Sequence, residues 1–456
     1  MSELKATGII SGIGTLLIGA RTAGYRITGN VEPRSYYRIN ATIPGEKNTF
    51  QENFGVPIRK DLAGIKLAFP DVYEDMKDAD IAMGHNECGS YSRLATNQMK
   101  VGNRGDFDWT FEQFHILTPK IFILDNLALS LNAISPHDWV KEFPDYHIYP
   151  IPVSNAHYGN PQKNRTRCFF IGVRKDLDFV PYSGEGPADC IPSLRDAIGD
   201  LQTFEGTGEF PNHEAHTLTG IAGGFRPRDF EASVERNEKL TWDQVREGFR
   251  ELKEGERWQY FNKEGLWKFK IGFAKAYKEK HTHVLAGSLG GGINPWTNLP
   301  FSLRERARIQ GIPDDFIFHG LKLEDDGRWN LSRNSNMVRQ ISKGMPIQWA
   351  TWISTQTAKY FRGEKQDPVG HYNYQPEIVS AAKQIICRDY GYGEQQKKAC
   401  ETCWLREKCD VTSLRNESLA FDQAFWPEKK DEEQLSLFAA NEIRNSPLSK
   451  KCGEEI

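Results

Sequence analysis

The first apolar run of the chain, Gly8-Ile9-Ile10, is too short for a helix and breaks at Ser11-Gly12-Ile13-Gly14-Thr15, after which Leu16-Leu17-Ile18-Gly19-Ala20 resumes. An apolar run bounded by a glycine turn predicts a short buried strand, a tight turn and a helix. Gly24-Tyr-Arg-Ile-Thr-Gly-Asn-Val-Glu32 then predicts a second strand that ends in a carboxylate. Ile81-Ala82-Met83 predicts another strand, and the stretch Gly84-His-Asn-Glu-Cys-Gly-Ser-Tyr-Ser92 predicts a turn of small and polar residues with Cys88 at its tip. This alternation belongs to an open, doubly wound α/β domain. No apolar run approaches the ~18 residues of a membrane span, and Met1 to Lys5 lacks the apolar core of a signal peptide.

Composition narrows the picture only slightly. At 456 residues the chain has room for two or three domains. The 58 basic and 61 acidic side chains leave a formal charge of −3, so any surface for a polyanion must be local. Eight cysteines in a chain this long do not form a disulfide scaffold, and a reducing cytoplasm is the expected compartment.

Two places promise chemistry. Glycines at a turn let backbone approach a ligand, and an acid about 20 residues on can accept hydrogen bonds from a ribose. Here the third glycine of the dinucleotide fingerprint is missing, which favours a nucleoside ligand without a pyrophosphate. A thiol at the tip of a strand-end loop, as at Cys88, is how an α/β enzyme presents a nucleophile.

Gly12-Ile13-Gly14, Glu32 and the Cys88 loop, in this order and spacing, resemble the DNA cytosine-5 methyltransferases that use S-adenosylmethionine. Leu124-Asp125-Asn126-Leu127 stands where that family has a Glu-Asn-Val strand end, and Gly159-Asn-Pro-Gln-Lys-Asn-Arg-Thr-Arg167 resembles its Gln-x-Arg-x-Arg motif with one residue inserted, followed by a strand, Cys168 to Gly172. Ser193 to Leu201 looks like the helix leading into the DNA-reading domain. Leu303 to Phe316 is close to a late catalytic motif, and Gln340 to Pro346 matches the last motif in part.

The resemblance implies a Rossmann-like methyltransferase domain and a set of roles. Cys88 adds as thiolate to C6 of a cytosine flipped out of the duplex. Asp125, in a protonated form, donates to N3 as a general acid. Arg165 holds O2, and Arg167 completes the catalytic set. Ser11, Gly12, Ile13 and Gly14 face the methionine part of the cofactor, Glu32 the ribose, Pro33 the adenine ring and Asp61 the adenine amine. Three departures stand out: Glu87 replaces the proline before the nucleophile, Asp125 is shorter than the usual Glu, and Ser342-Lys343-Gly344-Met345-Pro346 replaces Gly-Asn-x-Val-Pro. A carboxylate beside the thiol disfavours the thiolate. Lys343, beside the cofactor motif, could pair with a carboxylated S-adenosylmethionine that delivers carboxymethyl; its other reading is a lysine facing solvent or DNA phosphate.

From 202 to 296 the catalytic pattern stops, and Lys263 to His283 carries six lysines against Glu264 and Glu279 among Trp267, Phe269, Phe273 and Tyr277. Basic residues among aromatics suit a DNA-tracking face, and Gly287 to Ile293 reads as a hinge. Cys387, Cys400, Cys403 and Cys409 have the spacing of a four-thiolate site for zinc or an iron–sulfur cluster. The charged tail predicts disorder, and Gln434-Leu-Ser-Leu-Phe438 within it resembles a bacterial sliding-clamp docking peptide. The expected organisation is therefore a catalytic domain over 1–201 and 297–362, a target-recognition domain over 202–296, a four-cysteine module over 363–415 and a tail over 416–456. The expected partner is double-stranded DNA in a bacterial or phage-infected cell, with RNA the less favoured substrate. A catalytically dead DNA-binding protein, disabled by Glu87, is the rival from another class.

Overall fold

The computed structural model describes residues 3–86, 105–127, 130, 134, 136–162, 166–182, 186–188, 190–203, 248–256, 260–262, 265–267, 274–282, 285, 292–298, 301–320, 331–344 and 347–366. The strands used below are, in chain order, β1 (Lys5–Ile9), β2 (Arg26–Val31), β3 (Ile58–Arg59), β4 (Ile81–His85), β5 (Ile121–Asn126), β6 (Tyr146–Ser154) and β7 (Thr166–Arg174). Helices used below are α1 (Thr15–Thr22), α2 (Thr49–Phe54), α3 (Leu62–Ala68), α4 (Pro70–Met76), α5 (Gly105–Leu117), α6 (Pro136–Glu142), α7 (Leu194–Ile198), α8 (Leu303–Gln310), α9 (Leu331–Ser342) and α10 (Ile347–Phe361). Among the described residues no helix is long and apolar enough to cross a membrane.

The chain divides into two compact units. The first comprises Met1–Met76, Ser154–Arg165 and Ile191–Ala358. Its strands lie in the order β3-β2-β1, all parallel. Parallel strands covered on both faces read as continuous apolar runs rather than alternating ones, and β1 and β2 are buried along nearly their whole length. Ile13, Ile18, Tyr37, Leu303, Ala307, Phe316, Val338 and Ile341 close one core of this unit. Helix α8 begins with a capping box, Ser302 with Glu305, and ends at Gly311 in the left-handed conformation. Several of its polar side chains are buried and held by hydrogen bonds within the unit. Arg304 donates to the carbonyls of Pro313 and Phe316, and Glu305 accepts from Gln202 and Asn294.

The second unit comprises Lys77–Val153, Thr166–Cys190 and Lys359–Ile456. Its strands lie in the order β4-β5-β7-β6, with β4 and β5 parallel and β5 and β7 antiparallel. Aromatic rings fill its core: Phe111, Phe122, Trp139, Phe143 and Phe170 are all buried. Trp139 stacks on Phe170 with centroids 4.6 Å apart. Gly172 is dictated by this packing, because a Cβ there would stand 2.1 Å from the Phe122 ring. Offset and edge-on ring pairs add about 0.5–1.5 kcal/mol each beyond area burial, so this cluster stabilises β5 and β7 against the helices that cover them.

Candidate active-site residues

The glycine turn belongs to the first unit. Ile10, Gly12 and Gly14 follow β1 with φ of 55°, 61° and 86°. A β-branched residue at positive φ is strained and persists only where its surroundings over-determine it. Ile10 is so determined: its N–H donates to Val31 and its carbonyl accepts from Arg34. Asn30 clamps the same turn, donating to Gly12 O at 3.2 Å and accepting from Ser11 N at 3.4 Å. Both glycines are also required by space. A Cβ at Gly12 would meet the Tyr37 ring at 2.9 Å, and one at Gly14 the Phe54 ring at 2.5 Å. Gly14 starts α1 with no side-chain cap.

Glu32 lies just beyond β2, fully buried. Its Oε2 accepts from Gly12 N at 2.8 Å and Arg34 Nη2 at 2.9 Å, and its Oε1 from Arg34 N at 3.0 Å and Nε at 2.7 Å. All four acceptor directions of the carboxylate are thus engaged. Burial alone would lower the Arg34 pKa, but the Glu32 charge outweighs it and the guanidinium is held firmly protonated. Arg34 also lies over the Tyr37 ring, 4.8 Å from its centroid.

Of the other cofactor candidates, Pro33 is half-buried, and its carbonyl accepts from Arg38. Asp61 caps α3, accepting from Gly64 N at 2.8 Å. Lys343 is half-buried with its Nζ 3.2 Å from the Tyr36 hydroxyl and 5.3 Å from the ring centroid. A Cβ at the neighbouring Gly344 would come within 2.9 Å of Thr15, the first residue of α1. The last motif therefore packs against the glycine-turn elements, and the Lys343 ammonium lies against Tyr36, beside Tyr37.

The second unit holds Asp125 and Arg167. Register places His85 of β4 opposite Asp125 of β5. Arg167, on the antiparallel β7, reaches Asp125 with Nε to Oδ1 at 2.9 Å and Nη2 to Oδ2 at 2.7 Å. His85 Nδ1 is 3.0 Å from Asp125 Oδ2. Burial pushes the Asp125 carboxyl up, but the Arg167 charge and the His85 contact outweigh it and hold the group below the ordinary carboxylate range. In the structure both Asp125 oxygens are held, Oδ1 by Arg167 and Oδ2 by Arg167 and His85. Cys168, next on β7, is buried, and burial followed by the Asp125 charge pushes its thiol up to about 12.

Gln162 of the Gln-x-Arg-x-Arg stretch is buried in the first unit, donating to Asn160, Ile309 O and Gln310 and accepting from Leu285 N. Cys88, Glu87, Arg165, the four C-terminal cysteines and the Gln434–Phe438 peptide lie outside the described residues, as does most of the 202–296 segment. No cluster of potential metal ligands occurs among the described residues. Sequence reasoning passed over His85 and Arg34. Both sit within stretches singled out for other residues, one three positions before Cys88 and the other two after Glu32.

A family model described as C-5 cytosine-specific DNA methylase matches residues 4–359. The Type II methyltransferase M.MthTI of Methanothermobacter thermautotrophicus is 28% identical over 347 residues, covering 71% of this chain and 91% of that protein. M.DdeI of Desulfomicrobium norvegicum is 26% identical over 323 residues, covering 64% of this chain and 75% of that protein. A solved candidate DNA modification methyltransferase encoded in an E. coli prophage superposes with TM-score 0.53 at 20% identity, covering 79% of this chain and 99% of that one. This likeness shows the α/β, Rossmann-like methyltransferase fold.

Proposed function

Because the chain belongs to the C-5 cytosine-specific DNA methylases and is thus a DNA cytosine-5 methyltransferase, we propose that it modifies a flipped cytosine in double-stranded DNA through a covalent bond between Cys88 and C6. The donor is S-adenosylmethionine, as the family requires, and when bound it supplies an electrophilic methyl on sulfonium. The residues present fit such a nucleoside. The turn at Gly12 and Gly14 has backbone free of Cβ atoms, and α1 starts without a side-chain cap, which suits the carboxylate of an amino acid. Glu32 meets the ribose only when Arg34 gives up part of its grip. Ser11 and Ile13 line the turn, Pro33 lies against adenine and Asp61 faces its amine.

In the reaction, Cys88 adds to C6, C5 becomes nucleophilic and takes the methyl, and loss of the C5 proton expels the sulfur. The base must leave the stack for this to happen, since neither face of C6 is open inside a duplex. Arg165 holds O2 of the base. Arg167 fixes Asp125 as a carboxylate, which accepts from the exocyclic amine of the base. What supports this proposal is the bidentate Arg167–Asp125 pair, held across β5 and β7 beside β4, the strand that precedes the Cys88 stretch in the sequence. A duplex carrying 5-fluorocytosine at the target site tests it. Wild-type protein with cofactor forms a stable adduct, and Cys88→Ser does not; no adduct from either means a DNA-binding protein that has lost its chemistry.

A second transfer is favoured by one observation. Lys343 Nζ lies on Tyr36, next to the Tyr37 ring beneath Gly12, where a carboxylate on the transferred group would find a cation. Delivery of carboxymethyl from carboxylated S-adenosylmethionine is that alternative. Mass analysis of nucleosides decides it: 5-methylcytosine as the sole product ends the carboxymethyl reading.

For the remainder of the chain we keep the organisation read from sequence. Residues 1–201 and 297–362 form the catalytic domain, 202–296 read the target, and 363–415 hold a zinc or iron–sulfur site at Cys387, Cys400, Cys403 and Cys409. Residues 416–456 carry the clamp-docking peptide Gln434–Phe438. Metal analysis with a visible spectrum separates the two metals. Clamp pull-down with Leu437→Ala and Phe438→Ala together tests the peptide. The named relatives are Type II methyltransferases, which supports a setting in restriction–modification.

A further inference from the structure

The ends of β4 and β5 carry a second pair of polar side chains, one residue beyond His85 and Asp125. Asn86 follows His85, Asn126 follows Asp125, and register sets His85 opposite Asp125, so the two asparagines stand at the ends of neighbouring parallel strands. Two independent contacts fix their directions. Side chains alternate along a strand, so Asn126 points to the same face as Phe122, which stacks on Phe114 of α5 with centroids 4.7 Å apart. Asn86 points to α5 as well, because its Oδ1 accepts from the Thr110 hydroxyl at 2.8 Å. Both asparagines are 0% exposed.

Each amide has its oxygen engaged and its nitrogen unused. Asn126 Oδ1 accepts from Leu127 N at 2.7 Å. A backbone N–H only donates, so this contact fixes which end of the amide is oxygen. Among the described residues, the Nδ2 atoms of Asn86 and Asn126 are buried without a hydrogen-bond partner. Burying an amide N–H without an acceptor is costly, and two donors cannot satisfy each other. Cys168, opposite Asn126 on β7, brings only a weak acceptor to this face, and its sulfur bonds neither nitrogen.

We propose that Asn86 and Asn126 together bind one internal water molecule between the carboxyl ends of β4 and β5, each donating an Nδ2–H to its oxygen. A water oxygen has two lone pairs, which match the two donors in number, and buried waters characteristically serve such otherwise unsatisfied groups. Charge selects water over an anion. Among the described residues, the charged groups at these strand ends are Asp125 and Arg167, which alternate to the other face and neutralise each other there. An anion on the α5 face would be buried without a counter-charge, at far greater cost than ordering a water. The pairing of β4 with β5 ends at His85 and Asp125, and the water carries the link one residue further, holding the strand end that bears Asp125. This inference goes beyond the proposed reaction and does not depend on it.

High-resolution crystal structures of the full-length wild-type protein, grown with and without sodium bromide, test the proposal. Expected in both is a water oxygen within about 3.2 Å of both Nδ2 atoms. A bromide peak at that place would overturn the proposal in favour of an anion. Both nitrogens bonded directly to protein acceptors, or no solvent atom bridging them, would overturn it outright. A double-mutant cycle in urea unfolding gives a second measurement. Asn86→Leu or Asn126→Leu alone roughly keeps the volume but leaves the other amide and the water short of a partner. The combined substitution removes both donors and the water with them. The unfolding constant of the double variant is therefore expected to be at least ~2-fold smaller than the two single effects multiplied together would give. Strictly multiplicative effects would contradict a shared ligand. If a leucine variant does not fold, the wild-type crystals decide alone. Protein that traps no 5-fluorocytosine DNA but holds this water would sink the Cys88 reading and leave the inference standing.

Discussion

The two units each bury a carboxylate gripped by an arginine, but they build the pair differently. Glu32 and Arg34 are two residues apart on one turn, and the arginine side chain is 13% exposed. Asp125 and Arg167 are 42 residues apart on antiparallel strands, and the arginine side chain is 6% exposed. A pair made within a turn can open by rotating one side chain. A pair made between two buried side chains on neighbouring strands has less room to open. The first therefore suits a carboxylate that must exchange partners with a ligand, and the second suits one that must keep its charge and direction through a reaction.

The largest effect expected from breaking this contrast is at Asp125. Asp125→Ala leaves Arg167 buried without its counter-charge, and urea unfolding is expected to show a loss of about 3–5 kcal/mol, with trapping of 5-fluorocytosine DNA abolished. Asp125→Asn keeps the shape and loses less. Its pH dependence sharpens the point. The folded Asp125 pKa lies below its unfolded value near ~3.9, so its stabilisation is complete above that pH and fades as pH falls through the folded value. The stability gap between wild type and Asp125→Asn is expected to narrow below about pH 4; a gap that widens on acidification would contradict an ionised Asp125.

Arg34→Ala is expected to cost less, about 1–3 kcal/mol without cofactor, because Glu32 keeps Gly12 N and a ribose can replace the lost donors. Calorimetry with S-adenosylhomocysteine is expected to show binding tightened several-fold, with a larger thermal shift on ligand addition than in wild type. Weaker binding would mean that Arg34 is a fixed part of the site. Removing Arg167 is expected to gain nothing from the same ligand. Lys343→Ala, at a half-buried position, is expected to change stability by under ~1 kcal/mol. Its effect is expected in donor choice, measured as the ratio of 5-methylcytosine to 5-carboxymethylcytosine in DNA given both donors.

Much of the fold was legible along the chain. The apolar run at Gly8–Ile10 overlaps β1, the run at Leu16–Ala20 lies inside α1, and the strand predicted to end at Glu32 is β2. The stretch from Leu303, singled out only for its likeness to a family motif, folds as α8 between a capping box and a glycine stop. These features are local, and local propensity and periodicity reach them. Arg34 and His85 escaped because their partners depend on three-dimensional facts. Arg34 meets Glu32 only through the strained turn at Ile10 and Gly12, and His85 meets Asp125 only through the parallel register of β4 and β5. The grip of Arg167 on Asp125 was illegible for the same reason: a motif fixes a residue type, while the charge that stands beside it depends on the fold.

Nucleoside mass analysis of DNA from a host that makes this protein tests the central claim most directly. Wild-type protein is expected to leave cytosine modified at C5, and Cys88→Ser, made at the same level, is expected to leave it unmodified. Unmodified cytosine with wild type, or equal modification with both, would contradict the account.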